Sequence, residues 1–543
     1  MNRFWQRHWR LLLVLVAAAI VFGRSVDFPF SMLDDRTFVL HNPLLANPLA
    51  QGLLGLLTTP SMGYPHTVTV LSFAVDHRLF GDEPAGYHLV NVLTHLGVVS
   101  VLYLLLLRLA VDRRIAAAAV AFFALHPLVT EPVCWVIGRK DLLATGLLLG
   151  AMTIAAGGER DARPSRSRLA AVVVATALAM LAKPSTILAP LLLWPFVRAA
   201  RPAWMRSDAL AVVVPTAVAA LTIAGLSVFG LKAQGAFVER TRMEMLVDPL
   251  RAATLQLNHL FWPRDLLAEY YRVPGDPTVL AMLTTLVAGA AATVYALRRT
   301  APRSIERLAF VLFAIAFLPA SGVLPTAHWS ADSYFYLPLA FVTLLLATVG
   351  PRHWPGLVGL PFLAVALAVL SVSQTRTWSS PSAMFAPVVA RYPGEPRPLN
   401  RLAFAYGEEG NDGMAARTFI DLENRFPDFA FNRGQRASSF DQMGDHRGAD
   451  AIYLRCVRER DAECAMRYWV NVLNGKRRPE QSSTELVGAA YELAATQLAQ
   501  ASSPSVLRTV AASLRTKGLE LLARRAEADA EAKERATSHV SGF

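Results

Sequence analysis

The 543-residue chain is 54% hydrophobic and 17% charged, with a mean hydropathy of +0.36. With that balance bilayer, not water, solvates most of the chain, which excludes a soluble enzyme of ordinary composition. Three cysteines cannot build a disulfide framework, no Cys/His spacing suggests zinc, and the net charge of +12, carried by 47 arginines against six lysines, sits largely in short loops between apolar runs, as in a membrane protein and unlike a nucleic-acid binder. The arginine bias also points to a GC-rich bacterial genome.

Apolar runs able to span roughly 30 Å of hydrocarbon lie near 9 to 24, 87 to 109, 115 to 136, 141 to 157, 168 to 182, 185 to 199, 208 to 231, 278 to 297, 306 to 325, 333 to 349 and 355 to 373. They predict an all-α, polytopic helical bundle of about eleven transmembrane helices. Arg3, Arg7 and Arg10 precede the first run like the front of a signal peptide, but no clear cleavage site follows, and it reads as an uncleaved anchor. Basic loops (the N-terminus, Arg113 and Arg114, 160–168, 198–206, 298–307, Arg352) fall on alternate sides and set one cytoplasmic face. The loop 25–86, with two basic and six acidic residues, then belongs outside, as does everything after about Ser373. The outer loop 232–277 departs from this pattern: its six cations, matched by as many acids, suggest phosphate binding.

From Gln374 the chain is more polar and opens a second, soluble domain, so the predicted division is 1–373 and 374–543. Phe385, Phe419 and Tyr453 recur at intervals of 34, as do Pro393 and Pro427, Tyr406 and Phe440, Gly410 and Gly444, and Ala415 and Ala449. That is tetratricopeptide spacing, and it predicts two full repeats over about 396–463 after a half repeat, capped by helices over 482–500 and 504–536. Cys456 and Cys464 are near enough to bridge, yet are expected to be free or structural.

Several ionisable residues stand at the outer ends of the apolar runs. Asp34 and Asp35 are adjacent carboxylates about ten residues from the first span, costly unless something positive or protic uses them; a turn and helix cap is the plainer reading. After them Leu45, Leu49, Leu53 and Leu56 recur at helical spacing and predict a helix lying flat in the interface. HPLVTEPVCWVIGRKDLL places His126, Glu131, Arg139, Lys140 and Asp141 where such groups usually face a partner or a wet cavity, although Arg139 and Asp141 could simply pair with each other. Lys183 is the only charge between two very apolar runs, either snorkelling or touching phosphate. No Gly-rich phosphate loop, GxSxG, HExxH or CxxC occurs in a usable context. An outward-facing enzyme without ATP needs a donor that arrives already activated.

In order, LDDRTFVLHNPLL, GYHLVNVLTHL, HPLVTEPVCWVIGRKDLL, FLPASGVLPTAHWSADSYFYLP, TWSSPSAMF and the repeats resemble the transmembrane and tetratricopeptide-repeat O-mannosyltransferases, within the C-type (GT-C) polyprenyl-phosphate-sugar glycosyltransferases. The resemblance implies a catalytic acid at Asp34 or Asp35, and a donor site lined by Arg139 and Asp141 of the Gly-Arg-x-Asp-Leu-Leu element and by Asp332, Tyr334 and Tyr336. His126, Glu131, Lys183, Arg240, Arg242 and Arg264 join them as candidates for the donor and its phosphate. Where the family shows Glu-Arg before Leu-Tyr-Leu-Pro, this chain has Asp332-Ser333, so the resemblance leaves the sugar open. Some relatives use a divalent ion such as Mg or Mn and others none, so the metal is undecided.

The function that follows is transfer of a sugar from a polyprenyl phosphate to a protein or envelope-glycan acceptor, at the periplasmic face of a bacterial inner membrane, with the repeats either recruiting the acceptor or forming a purely structural lid, and no nucleic acid involved. Two other readings compete. A membrane-anchored scaffold for envelope assembly needs only one anchor helix, and a lipid or glycan transporter predicts an internal repeat that the segment lengths do not display.

Overall fold

The computed structural model describes residues 2–50, 52, 55–56, 66–158, 163–201, 203–233, 241–273, 277–301, 304–323, 329–353, 359–429, 433–442, 444–473, 482, 484–501, 507–508, 511–512, 515 and 520–540. Its regular elements are helices, with no strand among the described residues. The chain divides into two compact units, Met1–Tyr392 and Pro393–Phe543. The helix Pro381–Arg391 packs within the first unit, where Val388 and Tyr392 share a core cluster with Ala252, Leu267, Tyr270 and Trp329.

Among the described residues, three helices of the first unit are long and apolar enough to cross a membrane: Arg7–Asp27, Pro84–Arg108 and Arg206–Gly230. A fourth is reached if the bent pair Arg113–Leu125 and Pro127–Cys134 counts as one span. The expected count of about eleven rests on apolar runs. Several of these fold into shorter helices, such as Pro184–Ala200, Val279–Tyr295 and Asp332–Thr348, or are interrupted by 3-10 turns at Pro127–Val129, Val136–Gly138 and Pro184–Leu188. Pro84–Arg108 shows how such a helix divides its surface: Leu89, Leu93 and Leu104 are exposed, whereas Asn91, His95, Val98 and Leu102 are buried. An apolar helix that turns its few polar residues inward suits lipid outside and protein inside.

The bent pair positions the site. His126 precedes a proline and is extended (φ −74°, ψ 133°), which ends the helix Arg113–Leu125. The chain turns by 57° into Pro127–Cys134, extends again at Trp135, and re-enters helix at Arg139–Ala155. Breaking a helix in apolar surroundings strands carbonyls that nothing else can satisfy. Asn91 supplies the missing donor, its amide reaching Val133 O (3.4 Å), Trp135 O (2.9 Å) and Val136 O (3.1 Å). Gly138 lets this corner close, since a Cβ there would stand 2.5 Å from the Pro132 carbonyl oxygen. Of the leucines expected on an interfacial helix, Leu45 and Leu56 are buried and Leu49 is exposed. Helix is present there at Pro43–Ala46 and again at Gly52, Gly55 and Leu56, and Leu53 lies outside the described residues.

The second unit is built of successive helices: Pro396–Glu408, Asp412–Arg425, Arg433–Gln442, His446–Arg458, Ala462–Leu473, Thr484–Ala501 and Glu520–Val540. Residues 34 apart take equivalent places: Ala415 and Ala449 are buried, as are Phe419 and Tyr453. Gly410 and Gly444 both adopt positive φ (71° and 79°) at the turns between helices, a conformation that costs glycine least. Cys456 and Cys464 form a disulfide (Cα–Cα 5.9 Å), against the expectation of free or structural thiols. The tight turn through Arg460, at φ 57°, brings the two helix ends together.

Candidate functional site

The paired acids of the first outer loop have opposite environments. Asp35 is fully buried and accepts two backbone N–H groups, from Ser31 (2.8 Å) and Ile137 (3.1 Å), so it pins the loop to the corner preceding Arg139. Burial raises its carboxyl to about 6 despite those bonds. Asp34 is half-buried, and among the described residues no hydrogen bond or ion pair engages its carboxylate. It lies within electrostatic reach of Asp35 and Lys140.

The corner delivers the next groups. Lys140 places its ammonium 4.3 Å from the centre of the Trp135 ring, which itself stacks on Trp378 (6.0 Å). Asp141, one residue on, is buried and pairs with Lys183. Lys183 is held extended (φ −145°, ψ 116°) by the following Pro184, between the helix Arg166–Ala182 and the 3-10 turn Pro184–Leu188. Its ammonium also faces the Tyr334 ring at 5.1 Å. Asp141, Thr145, Lys183, Ser185, Ser333 and Tyr334 are among the residues lining a small cleft of about 30 Å³. Glu131, buried on the short helix Thr130–Cys134, lies against Ser333 and within electrostatic reach of Asp141 and Asp332. His66 closes the neighbourhood from the first outer loop: its Nδ1 meets Ala182 O at 3.2 Å, and Lys140 and Lys183 are its charged neighbours. Burial pushes its imidazole down to about 3, so the ring is neutral near pH 7.

Other expected residues serve as ties. Arg139 is fully buried; it binds Asp76, donates to Asn91 Oδ1 (2.7 Å) and Tyr87 O (2.7 Å), and covers the Phe73 ring. It does not pair with Asp141. His126 accepts from Leu128 N at Nδ1 (3.2 Å), so Nε2 carries the proton toward Leu260 O (3.1 Å). Asp332 accepts from Tyr270 OH (2.8 Å) and lies 3.3 Å from His259 Nδ1. Tyr336 hydrogen-bonds His95 Nδ1 at 2.7 Å in the bundle interior. Arg264 is exposed and stacked over Trp262. Arg240 and the side chain of Arg242 lie outside the described residues. The structure thus brings together Asp34, Glu131, Asp141, Lys183 and Tyr334 from the expected set, and adds His66 and Ser333; Asp76 joins only as a structural partner.

Among the described residues, no three carboxylates of this cluster come close enough together to share an ion. Asp141 holds Lys183 and Asp35 holds two amides. Among the described residues the only trio of ligand atoms within 4.8 Å of one another is Cys456, Asp461 and Cys464, whose sulfurs are bonded together.

Apolar helices of spanning length, enclosing a cluster of ionisable groups at a broken helix, define an all-helical membrane protein. Comparison with known proteins is consistent with the resemblance seen in the motifs. The chain is 42% identical over 84 residues to protein O-mannosyl-transferase TMTC3 of Mus musculus, covering 16% of this chain and 9% of that protein. It is 38% identical over 117 residues to protein O-mannosyl-transferase Tmtc1 of Drosophila melanogaster (20% and 14%). Over 157 residues it is 34% identical to protein O-mannosyl-transferase TMTC4 of Homo sapiens (25% and 21%). The matches thus span 9% to 21% of the length of these relatives. No protein-family model matches the chain, and no solved structure does.

Proposed function

We propose that the chain is a membrane glycosyltransferase of GT-C type that moves a sugar from a polyprenyl phosphate to a hydroxyl of a protein or envelope glycan at the outer face of a bacterial inner membrane. The observation that carries this reading is an uncommitted carboxylate, Asp34, within electrostatic reach of Lys140, which is itself a charged neighbour of the Lys183–Asp141 pair; that pair and Tyr334 line one small cleft. Relatives named protein O-mannosyl-transferases support the class of reaction.

Such a transfer makes two demands on the protein. As the acceptor oxygen bonds to the anomeric carbon, its proton passes to a base, and Asp34 is placed for that role because no other side chain occupies its oxygens. As the bond from anomeric carbon to phosphate oxygen breaks, its electron pair leaves with the polyprenyl phosphate, and a nearby cation stabilises the added charge. A single displacement of this kind inverts the anomeric centre. Asp35 is a positioning residue, holding the loop through Ser31 and Ile137. The helical second unit supports a role in acceptor recruitment, and its disulfide supports an oxidising compartment such as the periplasm.

The test is transfer from a polyprenyl-phosphate sugar to an envelope-protein fraction by the purified full chain in nanodiscs, followed by intact mass. Wild type adds a sugar-sized mass, and Asp34→Asn lowers the rate about 10²- to 10⁴-fold at unchanged abundance. Equal transfer by Asp34→Asn removes the catalytic reading and returns the chain to the scaffold class.

A further inference from the structure

The charges around the cleft are not equivalent. Arg139 is neutralised by Asp76 and Lys183 by Asp141, both in buried pairs. Among the described residues, the one hydrogen-bond partner of the Lys140 ammonium is the Ile137 carbonyl oxygen, at a long 3.4 Å, and no carboxylate lies within ion-pair distance. The ammonium is half-buried against the Trp135 ring, while Asp34, Asp141 and Glu131 act on it only from a distance. A half-buried cation with no close counter-ion is an incomplete arrangement, because desolvation is offset only when an anion completes the pair.

Resting on the proposed transfer, we infer that Lys140 is the residue that binds the phosphate of the polyprenyl donor and of the departing lipid product. Its place supports this in two ways. Trp135, stacked on Trp378, walls one side of the ammonium, whose charged neighbours are Asp141, Lys183, Asp34 and Glu131. Lys140 also adjoins Ile137, whose N–H is bound by Asp35, so the loop bearing the proposed base and the residue bearing the cation share one joint. In the reaction, the electron pair released from the anomeric carbon resides on a phosphate oxygen facing Lys140, and the acceptor's proton resides on Asp34. Lys183 and Arg139 keep their carboxylate partners throughout.

The experiment measures binding of undecaprenyl monophosphate to the full chain in nanodiscs, for wild type, Lys140→Gln, Lys140→Arg and Asp34→Asn, with phosphatidylglycerol and inorganic phosphate as comparison ligands. Lys140→Gln weakens binding of the polyprenyl phosphate about tenfold or more, Lys140→Arg restores most of it, and Asp34→Asn does not weaken it. Equal binding by wild type and Lys140→Gln overturns the assignment while leaving the transferase reading intact. An equal loss for phosphatidylglycerol or inorganic phosphate overturns it too, because the site then takes any anion. No binding by wild type removes the polyprenyl donor itself. Should Lys140→Gln not yield folded protein, Lys140→Met decides in its place: it keeps the length and packing of the side chain without the charge, so a loss of binding of about tenfold or more supports the assignment and wild-type binding overturns it.

Discussion

Asp35 is buried with a carboxyl raised from 3.8 to about 6, which makes its ionised form cost about 3 kcal/mol in the folded protein. Because the folded value lies above the unfolded one, folding takes up a proton between pH 4 and 6. The stability contributed by this group is therefore greatest below pH 4, falls as pH rises through 6, and is level above. Asp35→Ala leaves the Ser31 and Ile137 amides without an acceptor, about 1–3 kcal/mol each, and at pH 7 the relief of the ionisation cost offsets most of that loss. At pH 4 there is no such relief, so the deficit of Asp35→Ala relative to wild type widens by about 3 kcal/mol between pH 7 and pH 4. Asp34→Ala, with no bond to lose, stays within about 0.5 kcal/mol of wild type. The assay is unfolding of the three purified proteins in one detergent at pH 4, 5, 6 and 7. A deficit of Asp35→Ala that does not change with pH would falsify the assignment of Asp35 as a buried, titrating clamp.

Removing Arg139 as methionine leaves Asp76 buried without its cation and lowers stability by about 3–5 kcal/mol; recovery of monodisperse protein on size exclusion reads this, and a well-behaved variant with only weakened donor binding contradicts the structural role. Gly138→Ala drives a methyl against the Pro132 carbonyl and costs about 1–3 kcal/mol, seen as a lower thermal midpoint, whereas Gly97→Ala, with nothing nearby, does not. Alkylation of denatured but unreduced protein should label Cys134 alone, with Cys456 and Cys464 protected. Cys456→Ser with Cys464→Ser should cost the second unit roughly 2–3 kcal/mol; labelling of all three thiols in wild-type protein prepared without reductant speaks against the bridge.

The parts of this architecture readable from sequence are those encoded locally. The 34-residue interval carries over to the buried alanines and aromatics and to the two positive-φ glycines, because each repeat folds on its own neighbours. Adjacent acids, and a lysine alone among apolar residues, likewise announce a site. Partnership was not legible. Arg139 and Asp141 stand two apart and suggest each other, yet Asp76 and Lys183, 63 and 42 residues away, take them. Nor does the pair Asp34-Asp35 disclose which carboxylate is buried, since that follows from the Ile137 amide a hundred residues on. Asn91 was visible as a polar residue in an apolar run, but its use, satisfying carbonyls of a broken helix, depends on a break in another segment. Apolar run length does not locate breaks: runs continuous in hydropathy are interrupted at Pro127–Val129 and Pro184–Leu188.

Asn91 at that break also bears on biogenesis. The carbonyls of Val133, Trp135 and Val136 depend on the helix Pro84–Arg108, the guanidinium of Arg139 on Asp76 and Asn91, and the amide of Ile137 on Asp35. The stretch 126–139 therefore cannot hold its shape when it first leaves the ribosome or enters the bilayer, and takes it only after the loop and helix before it have docked. Vectorial synthesis delivers those partners first, so the cluster forms late, on a scaffold already in place. A chain in which the order of these segments was permuted would expose unpaired carbonyls and a bare arginine to lipid, and would be cleared by quality control before any catalysis could be measured.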